Sequence, residues 1–279
     1  MTKFIARAAI AAGISLSLAL VGCSGANNIV SGSTGAKGFA RLIDASPLTT
    51  TPIGLLSSSR TINSNITSST PIGPYATVGA GNQQFSVPGL TINNNPFKHS
   101  ISSATNYTVV VEGEPGATNY QTFIFQDTNP SASPASVRFK VDNAAPNLTT
   151  AVDVYVHATA NPALGIPTIA GLALNNDSGS YPGAPGNSYL PPQPVTTLNT
   201  YPTSTYALDI VPAGTTPTGT SADLFFGTTT TLLTAGVSYS FVIYDKSATA
   251  NSIGVLLAQD SPQVQSNQSG TFSAVVHKI

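Results

Sequence analysis

Short stretches of alternating apolar and polar residues run through most of this 279-residue chain. In residues 137–142 three apolar side chains alternate with three charged ones, and residues 152–157 alternate in a similar way. A period of two residues is typical of a β-strand with one face against a core. Further strands are predicted in residues 206–210, 237–243 and 255–257, with Pro, Gly and Asn between them. Since helical periodicity is lacking, the pattern predicts an all-β protein and an antiparallel sandwich.

The predicted strands occur in two sets with the same order, which indicates an internal repeat. Pro146 follows Pro47 by 99 residues, whereas Tyr239 follows Tyr107 by 132, so the second set carries about 33 extra residues. The Pro/Gly/Tyr-rich stretch 161–202 supplies them. The matching segments are 39–47 with 137–146, 85–89 with 210–214, 104–111 with 235–243, and 125–127 with 258–260.

These repeated segments resemble a bacterial extracytoplasmic repeat family, number forty-three ninety-seven of the domains of unknown function. Its repeats open with a strand that ends in Ala-Ser-Pro or Ala-Ala-Pro, and they later contain Val-Asp-Val-Tyr-Val, Pro-Ala-Gly-Thr and Thr-Leu-x-Ala-Gly-x-x-Tyr. Residues 53–56 of the first repeat are Ile-Gly-Leu-Leu where the family has Val-Asp-Val-Tyr. The resemblance spans roughly residues 37 to 262 and implies the sandwich fold. The matching positions are 144–146, 152–156, 212–215 and 233–239 in the second repeat, and 45–47 with Tyr107 in the first.

The N-terminus has the order of a secretory signal peptide. Lys3 and Arg7 precede the apolar residues 8–22, which carry no charge and are shorter than the roughly 18 to 20 residues of a spanning helix. Residues 20–23, Leu-Val-Gly-Cys, resemble the bacterial lipobox. The resemblance implies cleavage between Gly22 and Cys23 and a thioether between the Cys23 thiol and a diacylglycerol.

Lipidation would change how the protein meets a membrane. Each buried methylene contributes roughly 0.8 kcal/mol, so two or three acyl chains such as palmitate hold a protein essentially permanently. Ser24 follows the cysteine, and in the enterobacterial sorting rule that this resembles, a residue other than Asp favours the cell outer membrane. Residues 24–36 are predicted to be a flexible tether with a reach of roughly 20 Å.

The predicted organisation is a signal peptide and tether followed by two tandem antiparallel β-sandwich domains of the immunoglobulin-like class. Residues 1–22 are the signal peptide and 23–36 the lipidated cysteine with its tether. Residues 37–130 form the first sandwich repeat, and 134–262 form the second with its insertion. Residues 263–279 are a C-terminal extension with a candidate last strand.

The composition argues against a disulfide-stabilised protein and against a nucleic-acid-binding protein. Cys23 is the sole cysteine, so no disulfide can form within the chain and stability must come from packing and strand pairing. Without Lys3 and Arg7, 8 of the 10 basic residues remain against 11 acidic ones, a net charge of −3. Nucleic acid is therefore not an expected partner.

Residue patterns of catalytic and metal sites are not evident, so we expect no enzyme, metal or cofactor. The three histidines, His99, His157 and His277, lie far apart in the sequence. No nucleophile elbow of the form Gly-x-Ser-x-Gly is found. Glu112 and Glu114 could form a glycosidase pair, but at the end of a strand we expect solvated charges instead.

Two acidic groups have competing interpretations. Asp142, Asn143 and Asp153 flank a strand connection and could offer oxygens to calcium, whereas the favoured interpretation is a turn before Pro146. Asp127 and Asp260 each follow a final apolar strand and precede a proline, so they are predicted to form turns.

The insertion contains the candidate binding residues Tyr181, Tyr189 and Tyr201. Prolines surround them and stiffen the segment, and rigid aromatic side chains lose little entropy when they bind. They would anchor an envelope protein or a glycan, or else cover the edge of the sandwich.

The predicted function is a lipid-anchored lipoprotein of the bacterial cell envelope, on the periplasmic face or at the cell surface, with a non-catalytic binding, adhesion or structural role. The alternative is an envelope-localised hydrolase that acts on glycans. Convergence of three polar side chains in a pocket would favour the hydrolase.

Overall fold

The computed structural model describes residues 35–46, 51–93, 95–113, 120–127, 136–157, 167–177, 193–194, 207–220, 222–228 and 238–260. These residues form sixteen strands and no helix. The first eight strands are β1 (Lys37–Asp44), β2 (Ile53–Ser57), β3 (Arg60–Ile66), β4 (Ala76–Gly79), β5 (Gly81–Ser86), β6 (Phe97–Ile101), β7 (Asn106–Glu112) and β8 (Gln121–Asp127). The other eight are β9 (Ser136–Asn143), β10 (Val152–His157), β11 (Ile169–Leu172), β12 (Gln193–Pro194), β13 (Ala207–Pro212), β14 (Phe225–Thr228), β15 (Ser238–Asp245) and β16 (Ile253–Asp260).

The strands form four sheets of four strands each, two in each half of the chain. The first half has the orders β4-β1-β7-β8 and β3-β2-β5-β6, and the second half has β12-β9-β15-β16 and β11-β10-β13-β14. Strand for strand, the two halves share one topology. The predicted all-β fold of two tandem sandwiches is confirmed.

One pairing in each half departs from the antiparallel prediction. β1 runs parallel to β7, with Arg41 opposite Thr108, and β9 runs parallel to β15, with Lys140 opposite Ser240. The other pairings between named strands are antiparallel. Strands that lie far apart in the sequence can pair in either direction, and period-two patterning is the same for both.

Each sandwich encloses an apolar core between its two sheets. In β1 and β7, alternate residues such as Leu42 and Val109 face the first core, and in β9 and β15 Phe139 and Phe241 face the second. The two phenyl rings of the second core meet edge to face, with centroids 5.6 Å apart. This alternation is what the sequence pattern predicts for strands against a core.

The other face of these strands is buried as well, in a third cluster between the two sandwiches. It contains Ile43, Ala45, Val110, Phe123 and Phe125 from the first half and Ala144, Val242 and Ala258 from the second. The sheets β4-β1-β7-β8 and β12-β9-β15-β16 therefore pack against each other, and we call the space between them the inter-repeat layer.

The inter-repeat layer corrects the prediction that β9 is half-buried. Lys140 and Asp142, on the face expected to meet solvent, are both 0% exposed. The reason is tertiary: the sheet of the first sandwich covers that face. Both charged residues must therefore be compensated inside the protein.

Candidate functional site

Two ion pairs between buried side chains lie in the inter-repeat layer and join the two sandwiches. Arg41 of β1 pairs with Asp260 of β16, and Lys140 of β9 pairs with Asp127 of β8. All four side chains are at most 1% exposed. Each pair joins a strand of one sandwich to a strand of the other.

Each nitrogen of the Arg41 guanidinium donates a hydrogen bond. Its Nε donates to the hydroxyl of Thr108 at 2.9 Å, its Nη1 to the carbonyl of Gln259 at 3.1 Å, and its Nη2 to Asp260 Oδ1. Its Cζ also lies 4.4 Å from the ring centroid of Tyr75. Such pairing is what makes a buried arginine tolerable.

The Lys140 ammonium lies between two carboxylates. Nζ is 2.7 Å from Asp127 Oδ1, and 2.6 and 2.5 Å from the two oxygens of Asp142. The ring of Phe125 lies on another side, with its centroid 5.5 Å from Nζ. Asp127 Oδ2 accepts hydrogen bonds from Tyr75 at 2.5 Å and from Thr108 at 2.6 Å.

The two ion pairs occupy equivalent positions of the two repeats. Arg41 and Lys140 each lie opposite a hydroxyl residue on the parallel neighbour strand, Thr108 and Ser240 respectively. Ser240 donates to Asp260 Oδ2 at 2.7 Å, as Thr108 does to Asp127. Two differences break the equivalence.

The cation is an arginine in one pair and a lysine in the other, and the residue two positions after the cation also differs. After Arg41 it is the apolar Ile43, whereas after Lys140 it is Asp142. Around these two cations lie three carboxylates, those of Asp127, Asp142 and Asp260.

Burial and the neighbouring charges shift the protonation equilibria of Asp142 and Lys140. Burial raises the pKa of Asp142 to about 7; the Lys140 charge opposes the shift and Asp127 adds to it. Burial by itself would lower the pKa of Lys140, but the charges of Asp127 and Asp142 raise it above its ordinary value. Asp142 can therefore hold a proton near neutral pH.

Glu112 is another buried carboxyl group and corrects the expectation of a solvated charge. It is 0% exposed, and Oε1 accepts from the backbone N–H of Asp245 in the other sandwich at 3.3 Å. Burial and the nearby charge of Asp245 raise the pKa of Glu112 to about 10. Glu114 lies outside the described residues. Because Glu112 is enclosed, it cannot reach a substrate in this conformation.

Asp127 and Asp260 each end a strand, and the residues that would continue the predicted turns lie outside the described residues. Both side chains point into the inter-repeat layer and bind the cations described above. The prediction did not include this role because it considered only the prolines that follow in sequence. A signal was available, since an acidic residue at the end of the last strand recurs in both repeats.

The oxygens of the calcium candidates have separate partners. Asp142 binds Lys140, whereas Asn143 Oδ1 accepts from the N–H of Ala145 at 3.2 Å, which confirms a turn there. Asp153 accepts at 2.7 Å from the N–H groups of Gly171 and Gly214, two glycines with positive φ. The described residues contain no group of three or more His, Cys, Asp and Glu side chains placed to hold a metal ion.

The histidines are placed apart in the described part of the chain. His99 of β6 lies edge to face with Tyr107, at 5.3 Å between ring centroids, and burial lowers its pKa. His157 ends β10, and His277 lies outside the described residues.

The residues of the predicted anchor and binding loop lie outside the described residues. These are Gly22 and Cys23 at the cleavage position, and Tyr181, Tyr189 and Tyr201 in the insertion. Their roles stay predictions. None of the segments that the structure describes is a helix with the length and apolar character needed to cross a bilayer.

Comparison with known proteins found no match for this chain, either among protein-family models or among curated proteins. The resemblance to family forty-three ninety-seven therefore stays a prediction from the quoted motifs.

Proposed function

We propose that this protein is a lipid-anchored lipoprotein of the bacterial cell envelope, in the outer membrane, with a non-catalytic binding, adhesion or structural role. The anchor would be Cys23, at the end of the Leu-Val-Gly-Cys motif. The first strand begins at Lys37, which leaves 13 residues between the anchor and the folded part for a tether.

The observation that carries the proposed role is the inter-repeat layer. Its ion pairs and its apolar cluster join the middle sheets of the two sandwiches, so the charged side chains described above act within the fold. Two sandwiches joined this way form a stiff unit, which suits a protein that presents its loops at a distance from a membrane.

The alternative, a glycan hydrolase, rested on Glu112 and Glu114. Full burial of Glu112 removes the support for that pair, because a general acid must come within hydrogen-bond reach of its substrate. A specific observation in favour of the hydrolase is thus lacking among the described residues.

The proposed ligand surface is the insertion, with Tyr181, Tyr189 and Tyr201 as aromatic anchors. An envelope protein or a glycan is the proposed partner. Nucleic acid is not, because the net charge of the chain without its signal is negative. The sandwich fold supports the part of the family resemblance that concerns architecture.

The experiment is a capture assay with the full chain from bacterial membranes, using envelope extracts and a glycan array. Replacing Tyr181, Tyr189 and Tyr201 by Ser should abolish capture. Leu174→Ser is the matched control, since Leu174 is an exposed apolar residue outside that group, 40% accessible to solvent. Undiminished capture by the tyrosine variant would contradict the proposed surface.

A further inference from the structure

The surroundings of Lys140 resemble a reaction site more than a simple ion pair. A primary amine and a carboxyl group, Nζ of Lys140 and Oδ1 of Asp127, are 2.7 Å apart, and both side chains are 0% exposed. We propose that Lys140 and Asp127 condense to an isopeptide bond that covalently joins the two sandwiches.

The reaction requires no external reactant. Asp142 first takes a proton from the Lys140 ammonium and later returns it. The freed Nζ lone pair attacks Cγ of Asp127, the Nζ–Cγ bond forms, and the Cγ–Oδ1 bond breaks. Of the three ammonium protons, one remains on the amide nitrogen and two leave with Oδ1 as water. The positive and negative charges of the pair disappear together, and oxidation states do not change.

The fixed geometry and the burial of the two groups favour the amide over the Lys140–Asp127 ion pair. Fixed geometry raises the effective concentration of two reacting groups by orders of magnitude. An enclosed site also excludes the water that would hydrolyse the amide. A neutral amide is also easier to bury than two ions.

Two hydroxyl groups are placed to stabilise the tetrahedral intermediate. Attack at Cγ puts negative charge on Asp127 Oδ2, which accepts from Tyr75 at 2.5 Å and from Thr108 at 2.6 Å. Donors at such distances, fixed before the reaction, act as an oxyanion hole. Burial raises the pKa of Tyr75, so its hydroxyl remains a donor.

Asp142 is placed to carry the protons. Both of its oxygens lie within 2.6 Å of Nζ, and it interacts electrostatically with Asp127. Asp142 is not the acceptor of the new bond, because it lies two residues from Lys140 on the same extended strand and a cross-link there would close a very small ring.

The equivalent site in the first repeat provides an internal comparison. There the cation is Arg41, whose guanidinium stays protonated and is a poor nucleophile. The residue two positions on is Ile43, which cannot carry a proton. The Lys140 site thus differs from its repeat-related counterpart in the two groups that the reaction needs.

The test is the intact mass of the full chain, made in a cell-free system without lipidation or signal-processing enzymes and then unfolded. The expected mass is lower than the sequence mass by one water. Trypsin should yield residues 99–138 joined to residues 139–246, uncut after Lys140, because Arg138 and Lys246 are the adjacent cleavage sites. Fragmentation should place the branch between Asp127 and Lys140.

Matched variants separate the reaction from folding. Lys140→Arg keeps the charge but removes the nucleophile, so its mass should equal its sequence mass. Asp260→Asn alters the equivalent pair and leaves Lys140, Asp127 and Asp142 in place, so this variant should still lose one water. Asp142→Asn should lose water more slowly than the wild type. A folded wild-type chain with the full sequence mass, or a loss of water that persists in Lys140→Arg, would overturn the proposal.

Discussion

The guanidinium of Arg41, in β1 of the first sandwich, binds the carboxylate of Asp260, in β16 of the second. These residues lie 219 positions apart in the sequence, and their side chains are 1% and 0% exposed. A buried ion pair costs desolvation of both partners, so it specifies how the sandwiches dock more than it adds stability.

Removing one partner of this ion pair should therefore lower the free energy of unfolding strongly. Replacing both partners by apolar residues should lower it much less. Arg41→Met leaves the Asp260 carboxylate buried without its cation, and we expect a loss of roughly 3 to 5 kcal/mol in the free energy of unfolding. The double variant Arg41→Met with Asp260→Leu should recover much of that loss. Urea unfolding followed by circular dichroism measures both, and a double variant no more stable than the single one would contradict the argument.

Glu112 should make stability decrease with rising pH. Its pKa is about 10 in the folded protein against an ordinary value of 4.5. Between those values the unfolded chain has released the proton and the folded chain still holds it, so the free energy of unfolding falls as pH increases. Below 4.5 both states are protonated and the effect vanishes.

Glu112→Gln removes this titration while it keeps the shape of the side chain. The advantage of the variant over the wild type should grow as pH rises above 4.5. Thermal melting across that range measures it. A constant difference between variant and wild type would show that Glu112 does not hold its proton.

Separating the two sandwiches should expose an adhesive face. In a fragment of residues 1–134, Phe123 and Phe125 of the inter-repeat layer would be exposed to solvent. The fragment would also lack Lys140, the ion-pair partner of Asp127. We expect the fragment to melt at a lower temperature than the full chain and to self-associate in size-exclusion chromatography. A monomer with the melting temperature of the full chain would show that the sandwiches are independent.

Removing the thiol at position 23 should abolish the anchor. Because the thioether needs a sulfur nucleophile, Cys23→Ser should accumulate as an unprocessed precursor or leave the membrane fraction. Metabolic labelling with a fatty acid, followed by fractionation, measures this. A Cys23→Ser variant that is still labelled, cleaved and membrane-bound would contradict the lipoprotein proposal.

The sequence determined by itself where most strands lie and that they occur twice. Alternation in residues 152–157 is a local property of the chain, and the structure has β10 there. Turn chemistry is local too, which is why the turn at Asn143 was predicted.

Only the tertiary structure decided what the polar faces of those strands do. The charged residues of β9 look like a solvated face, because a strand at the surface and a strand between two sheets have the same period. Lys140, Asp142 and Glu112 became buried because a second sandwich covers them. That docking brings together residues from opposite ends of the chain, such as Arg41 and Asp260, and no local pattern encodes a distance between them.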